Sequence, residues 1–264
     1  MNKPLILITN DDGFDAGGIQ SLIESLRGEG ELFVVAPDGP RSAQSSALTV
    51  VSPIRAEKIT ENTDLTFYKC SGTPVDCVKL ALDQLVPRRP DLLVSGINHG
   101  VNSSVSVIYS GTMGAAMEGA LKRIPSIGFS LCCDHNADAD MSIAKPFVKT
   151  ISKETLKNGL PAGVCLNVNI PYEKDIKGIK IVRQAMGDWT EEYICRKDPS
   201  GKNYYWLSGN FCCEDHNDPT TDEWALANGY VSVVPTLVDL TGYGFMDTLI
   251  SDFKFQISNS TNPI

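Results

Sequence analysis

The stretch "LILITNDDGFDAGG", Leu5 to Gly18, opens with an unbroken run, Leu5–Thr9, and then breaks into Asn10, Asp11, Asp12 and Gly13. A run without polar alternation predicts a strand buried on both faces, as in a parallel sheet covered by helices on either side. Two adjacent carboxylates at the end of such a strand are costly to bury unless they are paired or bound to a metal. In open parallel sheets, ligands bind outside the carboxyl ends of the strands, so the position suits chemistry. The same residues also read as an Asp-Gly turn, with Asp15 capping the helix that follows. Adjacent side chains on an extended chain point apart. Either one carboxylate faces a ligand while its neighbour holds loop backbone, or a turn brings both to one hard cation.

Outward from this stretch the texture repeats. Up to about Leu131, the apolar runs "LFVVAP", "DLLVSGIN" and "IPSIGFSL" alternate with the helical patterns "GGIQSLIESLRGEG", "PVDCVKLALDQLV" and "TMGAAMEGALKR". Alternating strand and helix signals predict an α/β fold, a Rossmann-like three-layer core with a mainly parallel sheet. "SIAKPFVKTISKETLKNG" predicts one more helix, after which "GVCLNVNIP", "GIKIVRQA", "NYYWLSGN" and "GYVSVVPTLVDLT" are strand-rich with Pro and Gly turns. The chain therefore reads as a single domain, 1–264, with a core over 1–185 and a β-rich extension over 186–264.

Composition narrows the function classes. The 264 residues are 42% hydrophobic and 21% charged, the balance of a globular protein and not of a disordered tail. A net charge of −9 argues against binding nucleic-acid polymers through their phosphates, while leaving room for a local pocket for one small anion. No apolar stretch reaches the roughly 20 residues of a membrane helix. The N-terminal apolar segment is too short for a signal peptide. Eight cysteines without CxxC spacing suit a reduced, cytoplasmic protein.

Two further loops are predicted at the edge that carries Asp11 and Asp12. The strand "LFVVAP" runs into "DGPRSAQSSALTV", where Arg41, Ser42, Ser45 and Ser46 suit an oxyanion or a metal, or simply form a surface loop. The strand "LLVSGIN" passes through Asn98, Gly100 and Asn102 to "YSGT" and an Ala-rich helix. Ser110, Gly111 and Thr112 at that helix start form a phosphate cradle of free N–H groups, or an ordinary helix cap. By contrast, "SGTPVDCVKLAL" has a structural account, with Thr73 as N-cap, Pro74 at the first position and Asp76 in the first turn. His99, His135 and His216 are weaker candidates for proton transfer, and only His99 adjoins a site loop.

Together "ITNDDG", "VVAPDGPRSAQSS", "SGTPVDCVKLAL", "VSGINHGVNSSVSVIYSGTMGAAMEGA" and "PSIGFSL", in this order, resemble the SurE family, the survival-protein 5′/3′-nucleotidases. "LNVNIP", "GIKIVRQ" and "TDEWALANGYVSVVPTLVDLT" extend the likeness through most of the second half. The resemblance implies a phosphomonoesterase that hydrolyses nucleoside 5′- and 3′-monophosphates and requires one divalent cation per subunit, Mg²⁺ or Mn²⁺. It implies Asp11, Asp12, Ser42 and Asn98 as metal ligands, with Asp11 and Asp12 catalytic. Asn10, Asn102, Ser110, Gly111 and Thr112 would line the phosphate and substrate. It also implies an exchanged C-terminal arm that builds a homodimer or homotetramer. The sequence departs from many relatives at Val101, where they carry Pro, and in the spelling of "RSAQSS".

Because Gly13 stands two residues after Asp11, the Asp-x-Asp pattern of phosphoaspartyl enzymes is missing, and attack by metal-activated water is expected ahead of attack by Asp12. A nucleotide-sensing binder and a glycosyltransferase-like enzyme holding a metal–nucleotide sugar are the competing classes. The first would not require the intact acidic pair with Asn98, and the second would release a nucleoside diphosphate.

Overall fold

Side chains of Leu5–Ile8 alternate between two apolar layers, which is why the first four residues of the run Leu5–Thr9 are all apolar. In a computed structural model that describes residues 3–133 and 139–252, this run is strand β1 (Leu5–Thr9), buried along its whole length. Ile6 and Ile8 pack with Ile19, Leu22, Ile23 and Leu26 of helix α1 (Gly17–Leu26) and with Val148 and Ile151 of α4 (Lys145–Asn158). Leu5 and Leu7 point the other way, to Cys77 and Val78 of α2 (Pro74–Leu80) and Ala115 of α3 (Gly111–Leu121). The period of two along one strand thus builds both outer layers of a three-layer α/β sandwich.

The remaining strands are β2 (Glu31–Pro37), β3 (Ala56–Glu61), β4 (Leu65–Cys70), β5 (Leu92–His99), β6 (Ser126–Cys132), β7 (Val164–Pro171), β8 (Ile179–Ile181), β9 (Gly187–Thr190), β10 (Tyr193–Lys197), β11 (Asn203–Leu207), β12 (Asn210–Cys213) and β13 (Val231–Leu237). Eight of them join β1 in one nine-stranded sheet, in the order β3-β4-β2-β1-β5-β6-β7-β13-β8. All neighbours are parallel except β3 with β4 and β13 with β7. The order reverses at β1, where β2 and β5 run on opposite sides, and this is the switch point at which α/β sheets open a ligand crevice.

Three features differ from the sequence reading. "AEKITE" and "LTFYKC" form β3 and β4, so "LLVSGIN" is the fifth strand and not the third. β3 is an exposed edge strand, whose charged pattern carries no burial signal. "GYVSVVPTLVDLT" supplies β13, which lies inside the main sheet between β7 and β8 although it falls in the 186–264 segment. "TDEWALANG" carries a short helix, α5 (Asp222–Ala227), N-capped by Thr221. The rest of that segment is β-rich as expected: β9 pairs with β12 and β10 with β11, both antiparallel, before α6 (Tyr243–Asp252). Among the described residues, no helix is long and apolar enough to cross a membrane.

Candidate active site

The chain leaves β1 through Asn10, Asp11 and Asp12, and the two carboxylates have different surroundings. Asp11 is 4% exposed. Its Oδ1 accepts a short hydrogen bond from the Thr112 hydroxyl, and its carbonyl accepts from the Arg41 N–H at 2.7 Å. The carboxylate lies directly against the start of α3: a Cβ on Gly111 would come 2.9 Å from Asp11 Oδ2 and from its Cβ, so only glycine permits this approach. Burial raises the Asp11 pKa to about 6 and the Asp12 charge adds to the rise, while the Thr112 hydrogen bond opposes it. Asp12 is partly open, and its Oδ2 faces the His99 backbone N–H at 3.3 Å and the His99 ring Nδ1 at 3.2 Å. The adjacent carboxylates therefore have different partners. Asp15 does not cap α1, whose N-cap is Ala16 with no side-chain cap bond.

Neutral oxygen-bearing side chains lie on the chain segments at this edge. Asn10 is buried; its Nδ2 donates to the Gly13 carbonyl at 2.8 Å, while its Oδ1 has no partner among the described residues. Asn98 donates from Nδ2 to the Gly100 carbonyl at 2.8 Å. Ser42 is exposed on the β2 loop. That loop is tied down on both sides of it. Arg41 reaches Asp38 at 2.8 Å, Ser45 Oγ donates to the Ile108 carbonyl at 2.6 Å, and Ser45 N–H donates to the Tyr109 carbonyl at 3.1 Å. A Cβ on Gly114 would sit 2.4 Å from the Ser45 carbonyl, so a second glycine of α3 lets the loop dock. Ala43 and Ser45 both take positive φ there, 57° and 50°.

Ser110, Gly111 and Thr112 form the first turn of α3. Ser110 is its N-cap, accepting from the Met113 N–H at 3.1 Å, and Gly114 N–H donates to the Ser110 carbonyl at 2.9 Å. Thr112 joins this turn to Asp11. Asn102 sits deeper: its Nδ2 donates to Ser130 Oγ at 2.8 Å, and its backbone is gripped by Asn169 Oδ1 (2.7 Å) and Asn167 Nδ2 (2.8 Å) from β7. The structure thus gathers Asp11, Gly111 and Thr112 in direct contact, ties the Ser42 loop to both Asp11 and the approach to α3, and sets Asp12 beside Asn98 through His99. Asn102 frames the loop from beneath.

A buttress that the sequence did not announce lies behind the loop. Asp222 is fully buried at the first turn of α5, where Oδ2 accepts from Ser104 N–H (2.8 Å) and Oδ1 from Ala185 and Glu223 N–H (2.8 and 2.9 Å). Glu223 Oε1 takes a short hydrogen bond from the Ser103 hydroxyl. Ser104 holds a positive φ of 49°, and its hydroxyl donates to the Ala185 carbonyl at 2.9 Å. The signal was present in the chain as Thr221 followed by two acids, a helix start. His216 contacts Asn217 on the surface, and His135 lies outside the described residues.

Sheet order, switch point and the carboxylate-bearing edge define a Rossmann-like α/β protein with its acidic pair between β1, β5 and the start of α3. The family model of the survival protein SurE matches residues 6–191. The chain is 53% identical over 247 residues to 5′-nucleotidase SurE of Phocaeicola vulgatus, covering 94% of this chain and 96% of the relative. It is 55% identical over 250 residues to the protein of the same name from Flavobacterium johnsoniae, at 94% and 96% coverage. The crystal structure of the SurE protein from Aquifex aeolicus superimposes with a TM-score of 0.80 at 39% identity, over 93% of this chain and 98% of that one. This chain belongs to the SurE family.

Proposed function

We propose that the protein is a phosphoric monoester hydrolase that removes phosphate from nucleoside 5′- and 3′-monophosphates with the help of one divalent cation, Mg²⁺ or Mn²⁺. The 5′-nucleotidase name carried by relatives at about half identity supports the reaction class. The observation that carries the cation is the donor set at the β1 edge. Two neighbouring carboxylates stand there, close enough for the Asp12 charge to raise the Asp11 pKa, and the buried Asn10 Oδ1 lacks a partner among the described residues. Among the described residues, no three His, Cys, Asp or Glu side chains cluster as a metal site. The fit is instead to a hard ion held by Asp11, Asp12 and the neutral oxygens of Asn98 and Ser42, with Asn10 beside them.

When bound, the cation supplies charge neutralisation at the phosphoryl oxygens and a more acidic water. The chain's own contribution is positioning. The amide groups opening α3 at Gly111 and Thr112, backed by the helix dipole, suit a phosphoryl group. The Thr112 hydroxyl keeps the buried Asp11 carboxylate oriented at that helix end. Asn102, held by Asn167 and Asn169, keeps the loop backbone in place beneath the substrate. In-line transfer to water asks for this alignment and little covalent chemistry.

The hairpins of the 186–264 extension, with their uncovered aromatic residues, suit a homodimer or homotetramer. A cytoplasmic location agrees with eight cysteines that form no disulfide. The test is phosphate release from a panel of 5′- and 3′-nucleoside monophosphates after chelation and after adding back Mg²⁺ or Mn²⁺. Release that needs the added ion is expected. Undiminished release by the exhaustively chelated protein would overturn the metal reading, and absence of release from every nucleotide would overturn the hydrolase reading.

A further inference from the structure

His99 has no part in the function as derived so far, yet it is the only side chain that hydrogen-bonds Asp12 among the described residues. Both of its contacts go to a single oxygen. The backbone N–H lies 3.3 Å and the ring Nδ1 3.2 Å from Asp12 Oδ2. An ionised carboxylate only accepts hydrogen bonds, so Nδ1 carries the proton in this contact. No hydrogen bond among the described residues engages Asp12 Oδ1. The backbone that carries the ring is fixed: His99 is the last residue of β5, in register with Leu131 of β6, and the next N–H, that of Gly100, donates to the Leu131 carbonyl at 3.0 Å.

We propose that His99 is a positioning residue that holds the Asp12 carboxylate with one oxygen turned away from the ring and free for the divalent cation. The inference rests on the reading of Asp12 as a cation ligand. Its physical content is preorganisation. A partly exposed Asp on a loop otherwise samples several rotamers, and a hydrogen-bonded partner behind a ligating group removes that freedom before the ion arrives. His99 acts through Asp12 and touches neither ion nor substrate. Asn98, the neighbouring residue, has its own anchor on Gly100, so two successive residues of β5 reach the acidic edge in different roles.

Calorimetric titration of the full chain with Mn²⁺, without nucleotide, tests this. His99→Ala leaves the backbone N–H in place and deletes only the ring bond; the dissociation constant is expected to rise by roughly tenfold or more. His99→Asn restores a donor where Nδ1 stood and is expected to return the affinity to within about threefold of the parent. Nucleotide hydrolysis by His99→Ala is expected to recover its kcat once Mn²⁺ is raised to saturation. Unchanged Mn²⁺ affinity in His99→Ala overturns the proposal, as does an Asn variant as weak as the Ala variant. A kcat that stays low at saturating Mn²⁺ also overturns it, because the ring would then act in the chemistry itself. If the parent chain takes up no Mn²⁺, the reading of Asp12 as a ligand fails first and the proposal falls with it. Should His99→Ala unfold, the Asn variant alone decides, by matching or losing the parent's affinity.

Discussion

The carboxyl edge of the sheet and the double hairpin of residues 187–213 stand at opposite extremes of burial. At the edge the side chains that frame the acidic pair hold one another: Asp11 to Thr112, Asp12 to His99, Asn102 to Ser130 and β7, Ser104 to Asp222. In the hairpins, β10 and β11 are exposed along their whole length, with Tyr205 at 60% and Trp206 at 63%. Paired strands place Tyr204 and Trp206 on one face and Tyr205 and Leu207 on the other, and among the described residues neither face is covered. Buried polar networks fix a single geometry because each lost bond leaves an unsatisfied group. Exposed apolar strands do the opposite, since their stabilisation has to come from another surface. The edge is held by contacts within one chain, whereas the arm carries apolar rings that the described residues leave exposed.

That contrast is broken most severely at Asp12. Asp12→Asn preserves the turn, since Asn accepts the same backbone geometry, but removes charge at the edge. The expected result is a loss of at least roughly a hundredfold in kcat/KM, about 2.7 kcal/mol of transition-state stabilisation, measured at saturating metal. Thermal stability is expected to hold. Near-normal turnover would reduce the edge to a turn and leave its polar order without chemical purpose.

Asp222→Ala attacks the buttress and not the chemistry. Three N–H groups, of Ser104, Ala185 and Glu223, lose their acceptor together. A cost of about 3 kcal/mol follows from leaving buried donors unpaired. At fixed protein concentration this lowers Tm by roughly 6–12 °C. A shift of less than 1–2 °C, about the effect of an ordinary surface substitution, would mean that the loop before α3 holds its shape without α5.

The arm is expected to respond in the reverse sense. Replacing Tyr205 and Trp206 by Ser should shift the mass seen by light scattering toward smaller species. Unfolding of the dissociated chain, compared at a dilution where both proteins are monomeric, should change by no more than about 0.5 kcal/mol. A drop as large as that of Asp222→Ala would show that these rings are part of the chain's own core, and the contrast between edge and arm would collapse.

How much of this was legible depended on whether a residue's partner lay close in sequence. β1, α1 and the capping box of α2, where Thr73 and Asp76 exchange hydrogen bonds, follow from runs and local spacing. Asp11, Asp12 and the Ser110–Thr112 turn were visible because strand ends and helix starts are themselves local signals. The rest was set by contacts across the chain. β3 has no apolar face to betray it, and β13 enters the sheet from residues that read as an appendage. Asn167 and Asn169 sit two apart in an otherwise apolar strand, a period-two polar pair that marks one buried face, but their partner Asn102 lies 65 and 67 residues away. The role of Asp222 depends on Ser104, 118 residues earlier, and no local pattern encodes that distance.

The finest test separates hydrogen bonding from charge within the buttress. Burial raises the Glu223 pKa, the neighbouring Asp222 and Asp215 charges add to the rise, and the Ser103 hydrogen bond lowers it. A carboxyl group whose folded pKa lies above its unfolded one binds more protons in the native state between the two values. Its favourable contribution is complete below the unfolded pKa and is lost as pH rises through the folded one. Glu223→Gln keeps an oxygen to accept from Ser103 but cannot titrate. The stability of the variant relative to the parent should therefore increase as pH is raised from about 4 through the carboxylate range and then level off. Parallel denaturation curves across a pH series measure that difference directly. A relative stability that fell with pH would mean that the ionised Glu223 is favoured by its surroundings. The buttress would then work by charge, in contrast to the hydrogen-bonded order of the rest of the edge.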